Sequence, residues 1–191
     1  MRFKCRSKVL HFPEAENDKQ QELAIFAGNY QIVMRKSRQE IKDKAVLEKI
    51  LSGAEICRLS MLDGELPYII PVNYGYRDGH IYIHSAREGK KIDLLQNNRL
   101  ICFEVEDTVQ VVKGEKACDW TTRYRSVVGY GTIEILSDAA SKQEGLEVIM
   151  AQHGAPELEN FDAENLKRMV ILKLRITSLT GKQSSNWDHT F

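Results

Sequence analysis

Two apolar, β-branched and aromatic runs meet at Asp78-Gly79 in the stretch PYIIPVNYGYRDGHIYIHSAREGKKIDLL, Pro67 to Leu95, and commit this part of the chain to a β-hairpin. Asp-Gly suits a type I′ turn, which needs φ > 0 at both central residues. The second run, Ile81 to Ser85, ends in His84-Ser85, and the chain then passes Ala86-Arg87-Glu88-Gly89 to Lys90-Lys91. A short helix is expected from Ile92 to Gln96. A hydroxyl, a flexible glycine, two ammonium groups and free helix N–H groups therefore converge on one strand-to-helix corner. Proteins hold small dianions such as phosphate in this way. Two lysines at a helix start also suit a plain solvated face, and Glu88 puts a negative charge nearby. The company of Ser85 and Gly89 points instead to an anion site.

The rest of the chain reads as mainly β. Strands are expected at Ile56 to Leu62, then, after a tight Asp63-Gly64 turn, at Tyr68 to Tyr76 and Ile81 to Ser85. Further strands follow at Leu100 to Val105, Thr108 to Val112, Ser126 to Leu136 and Met169 to Thr177. Apolar residues recur at helical spacing from Ile41 to Leu51, and Ser52-Gly53 closes that segment. Ser137 is placed to cap a helix from Asp138 to Gln152. Many short strands with few helices favour an antiparallel barrel over a parallel α/β sheet. Residues 1–33 lack a clean period and read as an N-terminal arm with one weak helix, Glu14 to Phe26. Residues 34–191 are left as one domain.

Several function classes fall away. The 27 basic and 27 acidic residues cancel. Any anion site is therefore local, and a nucleic-acid-binding barrel has no basic strip to work with. No apolar stretch approaches the length of a membrane span, and the N-terminus lacks the apolar core of a secretory signal, so a cytoplasmic location is expected. Cys5, Cys57, Cys102 and Cys118 have no CxxC spacing, and Cys57 and Cys102 read as small buried hydrophobes. Gly129-Tyr130-Gly131 lacks the third glycine of a dinucleotide fingerprint, and Gly89-Lys90-Lys91 is not a P-loop. His80 and His84 would stand roughly 13 Å apart along a strand, too far to share a metal ion. No GxSxG elbow supports a hydrolase. The segment KACDWTTRYRSVVGYG, Lys116 to Gly131, sets Arg123 and Arg125 around Tyr124, so that Arg125 and Ser126 could offer donors where a strand begins.

Taken together, CRLSM (Cys57 to Met61), PVNYGY (Pro71 to Tyr76), IYIHSAREGKKIDLL (Ile81 to Leu95) and KACDWTTRYRSVVGYG resemble the pyridoxamine 5'-phosphate oxidase-like, FMN-binding split barrels. The branch they most resemble is that of the nitroimidazole-resistance (Nim-type) proteins. The similarity spans roughly 34–182. It implies a six-stranded antiparallel Greek-key split barrel, a homodimer, and FMN in two clefts at the dimer interface. By position, Pro71, Val72 and Asn73 would run along the isoalloxazine edge. His84 and Ser85 would lie by the ribityl chain and phosphate, Lys90 and Lys91 would pair the phosphate, and Arg125 and Ser126 would approach across the interface. An arginine and a lysine that the pyridoxamine-phosphate oxidases use are Tyr68 and Asn73 here, and their C-terminal tryptophan–arginine clamp has no clear counterpart, although Trp187 exists. In the nitroimidazole-resistance branch a histidine beside the flavin matters for the chemistry, and His84 matches it.

The reading is a cytoplasmic FMN-dependent oxidoreductase with His84 as its catalytic residue. It would pass electrons from NADH or NADPH to a small electron-poor acceptor such as a nitro compound. The alternatives are a non-catalytic flavin carrier or sensor, or a haem-binding split barrel with His84 or His189 as axial ligand.

Overall fold

A computed structural model describes residues 34–155, 161–185 and Trp187. The expected helix from Glu14 to Phe26 and the candidate ligand His189 lie outside these residues. In chain order the elements are β1 (Glu40–Ile41), α1 (Lys44–Gly53), β2 (Ile56–Asp63), β3 (Leu66–Asn73), β4 (Gly75–Arg77), β5 (His80–Ala86), α2 (Lys90–Asn97), β6 (Leu100–Val112), β7 (Thr121–Leu136), α3 (Ala139–Gln152), α4 (Ala163–Arg168) and β8 (Met169–Gln183).

All strand pairs are antiparallel, in the order β3-β2-β6-β7-β8-β5-β4, with β1 added beside β8. Six strands are long, as expected for the split barrel. The short β1 and β4 raise the total to eight. β3 and β4 end the path without pairing to each other, so the sheet curls without closing. β6, β7 and β8 follow in spatial order and β5 returns beside β8, which is a Greek key. Asp78 (φ 48°) and Gly79 (φ 74°) both take positive φ, as the type I′ turn requires. In the other hairpin only Gly64 does so (φ 63°), the type II′ pattern.

The barrel interior holds Cys57, Leu59, Ile81, Ile83, Ile101, Val105, Val127, Leu172 and Leu174, and α1 plugs one end with Ile50 and Leu51. Tyr74 interrupts what the sequence suggested was one strand from Tyr68 to Tyr76. Its fully buried ring turns into the core, and its hydroxyl donates to the Leu51 carbonyl at 2.5 Å. Burial pushes its phenol pKa upward. Gln152 ties the same junction, donating to the Leu51 and Ala54 carbonyls (3.2 and 2.7 Å) and accepting from the Tyr76 N–H (2.6 Å). The last carbonyls of α1 thus gain partners. α3 covers the outer side of β5 and β8 through Tyr82, Leu146, Val148, Ile149 and Ile171.

Some expected boundaries move. Asp138, not Ser137, caps α3, its carboxylate accepting from the Ser141 N–H at 2.9 Å. Asp43 caps α1 through the Ala45 N–H, and Ile41 belongs to β1. The two strands expected between Leu100 and Val112 are one, with a register shift between Glu106 and Thr108 that leaves Asp107 extra. β7 and β8 run longer than expected because they pair with each other as far as Arg125↔Gln183.

Candidate functional site

The corner after β5 joins a strand end, a glycine and a helix start. β5 alternates, so Ser85 lies on the barrel side with Ile83, 6 % exposed, while His84 faces outward and is exposed. Gly89 takes φ 112°, which brings the chain sharply from β5 into α2. With no side chain to cap the helix, its first N–H groups stay directed at the corner. Lys91 is half-buried, and desolvation alone lowers its pKa. Among the described residues it has no carboxylate partner. Lys90 is exposed and bonded to Asp63 at 2.6 Å, with its ammonium 4.8 Å from the centre of the Tyr68 ring. That bond to Asp63 raises the Lys90 pKa. Neither Asp63 nor Tyr68 could be tied to the corner from sequence, since β-pairing rather than chain proximity brings them there.

The other candidate residues distribute by strand alternation. Pro71 and Asn73 face outward on β3 and are exposed, and Val72 between them packs on the core. On β7, Ser126 shares that outer face. Asn73 pairs with Ile56, which lies beside Glu106, which pairs with Ser126, forming one row across four strands. Arg125 faces the opposite way, with Val127. Its side chain is only 14 % exposed, and it grips Asp107 through Nε (3.2 Å) and a second, shorter contact from Nη2. Trp187 lies over it with the ring centre 4.3 Å from the guanidinium carbon, and Arg123 stacks on the same ring at 4.8 Å. The bulge at Asp107 and the return of the tail are tertiary events that no local pattern announced.

One chain therefore does not bring all the candidates together. From Tyr68, beneath Lys90, to Asn73 is about 17 Å along β3, and Ser126 lies three strand spacings further, about 14 Å across the sheet. A separate open groove of about 610 Å³ lies between the first turn of α1, the Asp78-Gly79 turn and Ile176 to Leu179 of β8. None of the candidate residues lines it, and the convergent charge is at the corner, so the corner is the better site. Among the described residues no group of three or more His, Cys, Asp or Glu side chains could hold a metal ion. No described helix is long and apolar enough to cross a membrane.

The profile of the pyridoxamine 5'-phosphate oxidase family matches residues 43–183. The chain belongs to that family. Among solved structures it is similar to a candidate 5-nitroimidazole antibiotic resistance protein from Bacteroides thetaiotaomicron, at 28 % identity and TM-score 0.68 over 75 % of this chain and 86 % of that one. The flavocytochrome Anf3 from Azotobacter vinelandii shares the fold at 20 % identity and TM-score 0.69, covering 91 % and 77 % of the two chains. So does the FAD and haem binding protein from Mycobacterium smegmatis, at 19 % identity and TM-score 0.69 over 80 % and 77 %. No curated protein matches the chain.

Proposed function

We propose that the protein binds FMN at the α2 corner and passes electrons from NADH or NADPH to a small electron-poor acceptor, with nitro compounds as candidates. The observation that carries this reading is Lys91, a half-buried ammonium with no carboxylate partner among the described residues, set at an uncapped helix start beside buried Ser85. Removing a cation from water without a counter-charge is unfavourable, so the site is built for an anion that arrives. The corner offers donors for one phosphate, which fits a mononucleotide. Lys90 would join once the phosphate displaces exposed Asp63.

The fold relatives described as a flavocytochrome and as an FAD and haem binding protein support a flavin in this architecture. Bound flavin would supply the electron transfer chemistry. The free backbone edge at Pro71 and Asn73, with Val72 between them bonded to β2 and packed on the core, would offer hydrogen-bond groups along a ring edge. Ser126 shares their face but lies far from the corner, so it would serve from a second copy, giving a homodimer with shared clefts. Arg125, turned away and held by Asp107, supports that strand from behind. Exposed His84, one residue before Ser85, would hold or release a proton beside the cofactor. A cytoplasmic setting, where reduced nicotinamides are plentiful, fits this role.

The test is the absorbance spectrum of the purified, FMN-reconstituted protein, with the released cofactor identified by mass. Flavin bands and FMN are expected. A haem band, FAD or no chromophore would overturn the reading. NAD(P)H oxidation with a panel of acceptors then separates an enzyme from a carrier.

A further inference from the structure

At the start of β7, two guanidiniums form a slot already filled by a flat ring of the chain's own tail. Arg123 and Arg125, two apart on a strand, project from one face and both lie within cation–π distance of Trp187 (4.8 and 4.3 Å). Arg123 Nη2 donates to the Trp187 carbonyl at 2.5 Å. The tail returns here because the Ser184 N–H donates to the Tyr124 carbonyl (2.9 Å) and the Trp187 N–H to the Ser184 carbonyl (3.2 Å). Two features show that the indole fits imperfectly. Asp107 neutralises Arg125, whereas Arg123 has no carboxylate partner among the described residues and lies against a neutral ring. Among the described residues the buried Arg123 Nε has no acceptor. A charged donor sealed from water without a partner is unfavourable, and an oxyanion in its place would relieve it.

We propose that this slot binds a planar aromatic ring bearing an anionic group, of the purine nucleotide kind, and that Trp187 is a self-ligand which the nucleotide displaces. The ring stacks against the guanidiniums where the indole now lies, and its phosphate accepts from Arg123. The site is separate from the α2 corner and does not depend on flavin being bound there. A free nucleotide and the adenylate end of a nicotinamide dinucleotide share this chemistry.

The experiment uses the full chain carrying Trp120→Phe, so that Trp187 is its sole tryptophan, titrated with AMP, adenosine, inorganic phosphate and NADPH. AMP should shift the Trp187 emission to the red as the indole enters water, and adenosine and phosphate should each bind at least tenfold more weakly. Adding Trp187→Ala should tighten AMP binding, read by calorimetry, about tenfold, and Arg123→Ala should weaken it by as much while leaving flavin content unchanged. Matching AMP and NADPH affinities identify the adenylate end of the reductant, and AMP alone identifies a free nucleotide. Emission that AMP leaves unmoved in the folded single-tryptophan protein, or AMP affinity insensitive to Arg123→Ala, overturns the proposal. Absence of flavin would bear only on the FMN reading.

Discussion

Lys90 and Lys91 are adjacent in sequence yet differ in every physical respect. Lys90 is exposed and paired with Asp63, so Lys90→Ala should weaken FMN binding only modestly. Lys91 is half-buried with no carboxylate partner among the described residues, and Lys91→Met should weaken it at least tenfold, since a charge-assisted hydrogen bond is worth about 1.5–3 kcal/mol. Without cofactor the order reverses, and Lys91→Met should stabilise the protein by roughly 1 kcal/mol in urea unfolding by removing a desolvated charge. The pH sign follows. Lys91 has a folded pKa below its unfolded value, so its penalty is full below that depressed value and fades as pH rises through it. That gain should vanish in Lys91→Met. Cys57 offers a second check at this scale. Burial pushes its thiol up to about 12, so iodoacetamide at mildly alkaline pH should modify exposed Cys118 and leave Cys57 intact until the protein unfolds. Ser85, Lys90 and Lys91 could be grouped as a candidate site from the sequence because they are nearly contiguous. Asp63, Asp107 and Trp187 were not, because each reaches its partner only through strand pairing, a bulge or a returning tail.

Elements were readable where local chemistry and tertiary context agree. Asp78-Gly79 is of this kind, whereas α2, expected from Ile92 to Gln96, runs from Lys90 to Asn97 with Gly89 before its first turn. Boundaries slipped where pairing overrode composition. The start of β7, Thr121 to Arg125, has strand-forming Thr and Tyr but no apolar alternation, and is held by its ladder to β6. α3 contains an interior glycine whose reason is likewise invisible locally. A Cβ on Gly145 would come within 2.6 Å of Ile171 Cγ2, a branched side chain of β8 that is itself fully buried. Gly145→Ala would gain about 1 kcal/mol of helix propensity, while overpacking costs about 1–3 kcal/mol. Because a β-branched neighbour cannot swing aside, the clash should win. The variant should lose roughly 1 kcal/mol, read as a lower urea midpoint with an unchanged slope.

At the scale of the molecule, the separation between the corner and Ser126 makes a prediction about assembly. Leu66 and Ile69 on the β2–β3 hairpin and Val109, Val111 and Trp120 on the β6–β7 hairpin are all at least half exposed among the described residues, the kind of apolar surface that a second copy would cover. Solution mass should give a dimer. Ile69→Glu, on the outer face of β3 two residues before Pro71, should yield a monomer that has lost most of its flavin. A monomer with full flavin occupancy would sink the shared cleft. The barrel class was legible from strand count and turns. The order of strands was not, since β5 to β8 and β2 to β6 are contacts between segments far apart in sequence.

β3 closes one end of the sheet and carries Pro67 and Pro71. Both pair with β2, opposite Leu62 and Arg58, so the N–H that each ring lacks is one that would have pointed away from β2. The open side of the strand is therefore missing every second donor of the row a further strand would need. Here an apolar, solvent-facing border becomes a poor template for templated fibre growth. Pro67→Val would restore a donor beside exposed Leu66 and Ile69. Such a chain should fold as before but gain thioflavin-positive aggregates on prolonged warm incubation, with a lag shorter than that of the parent protein.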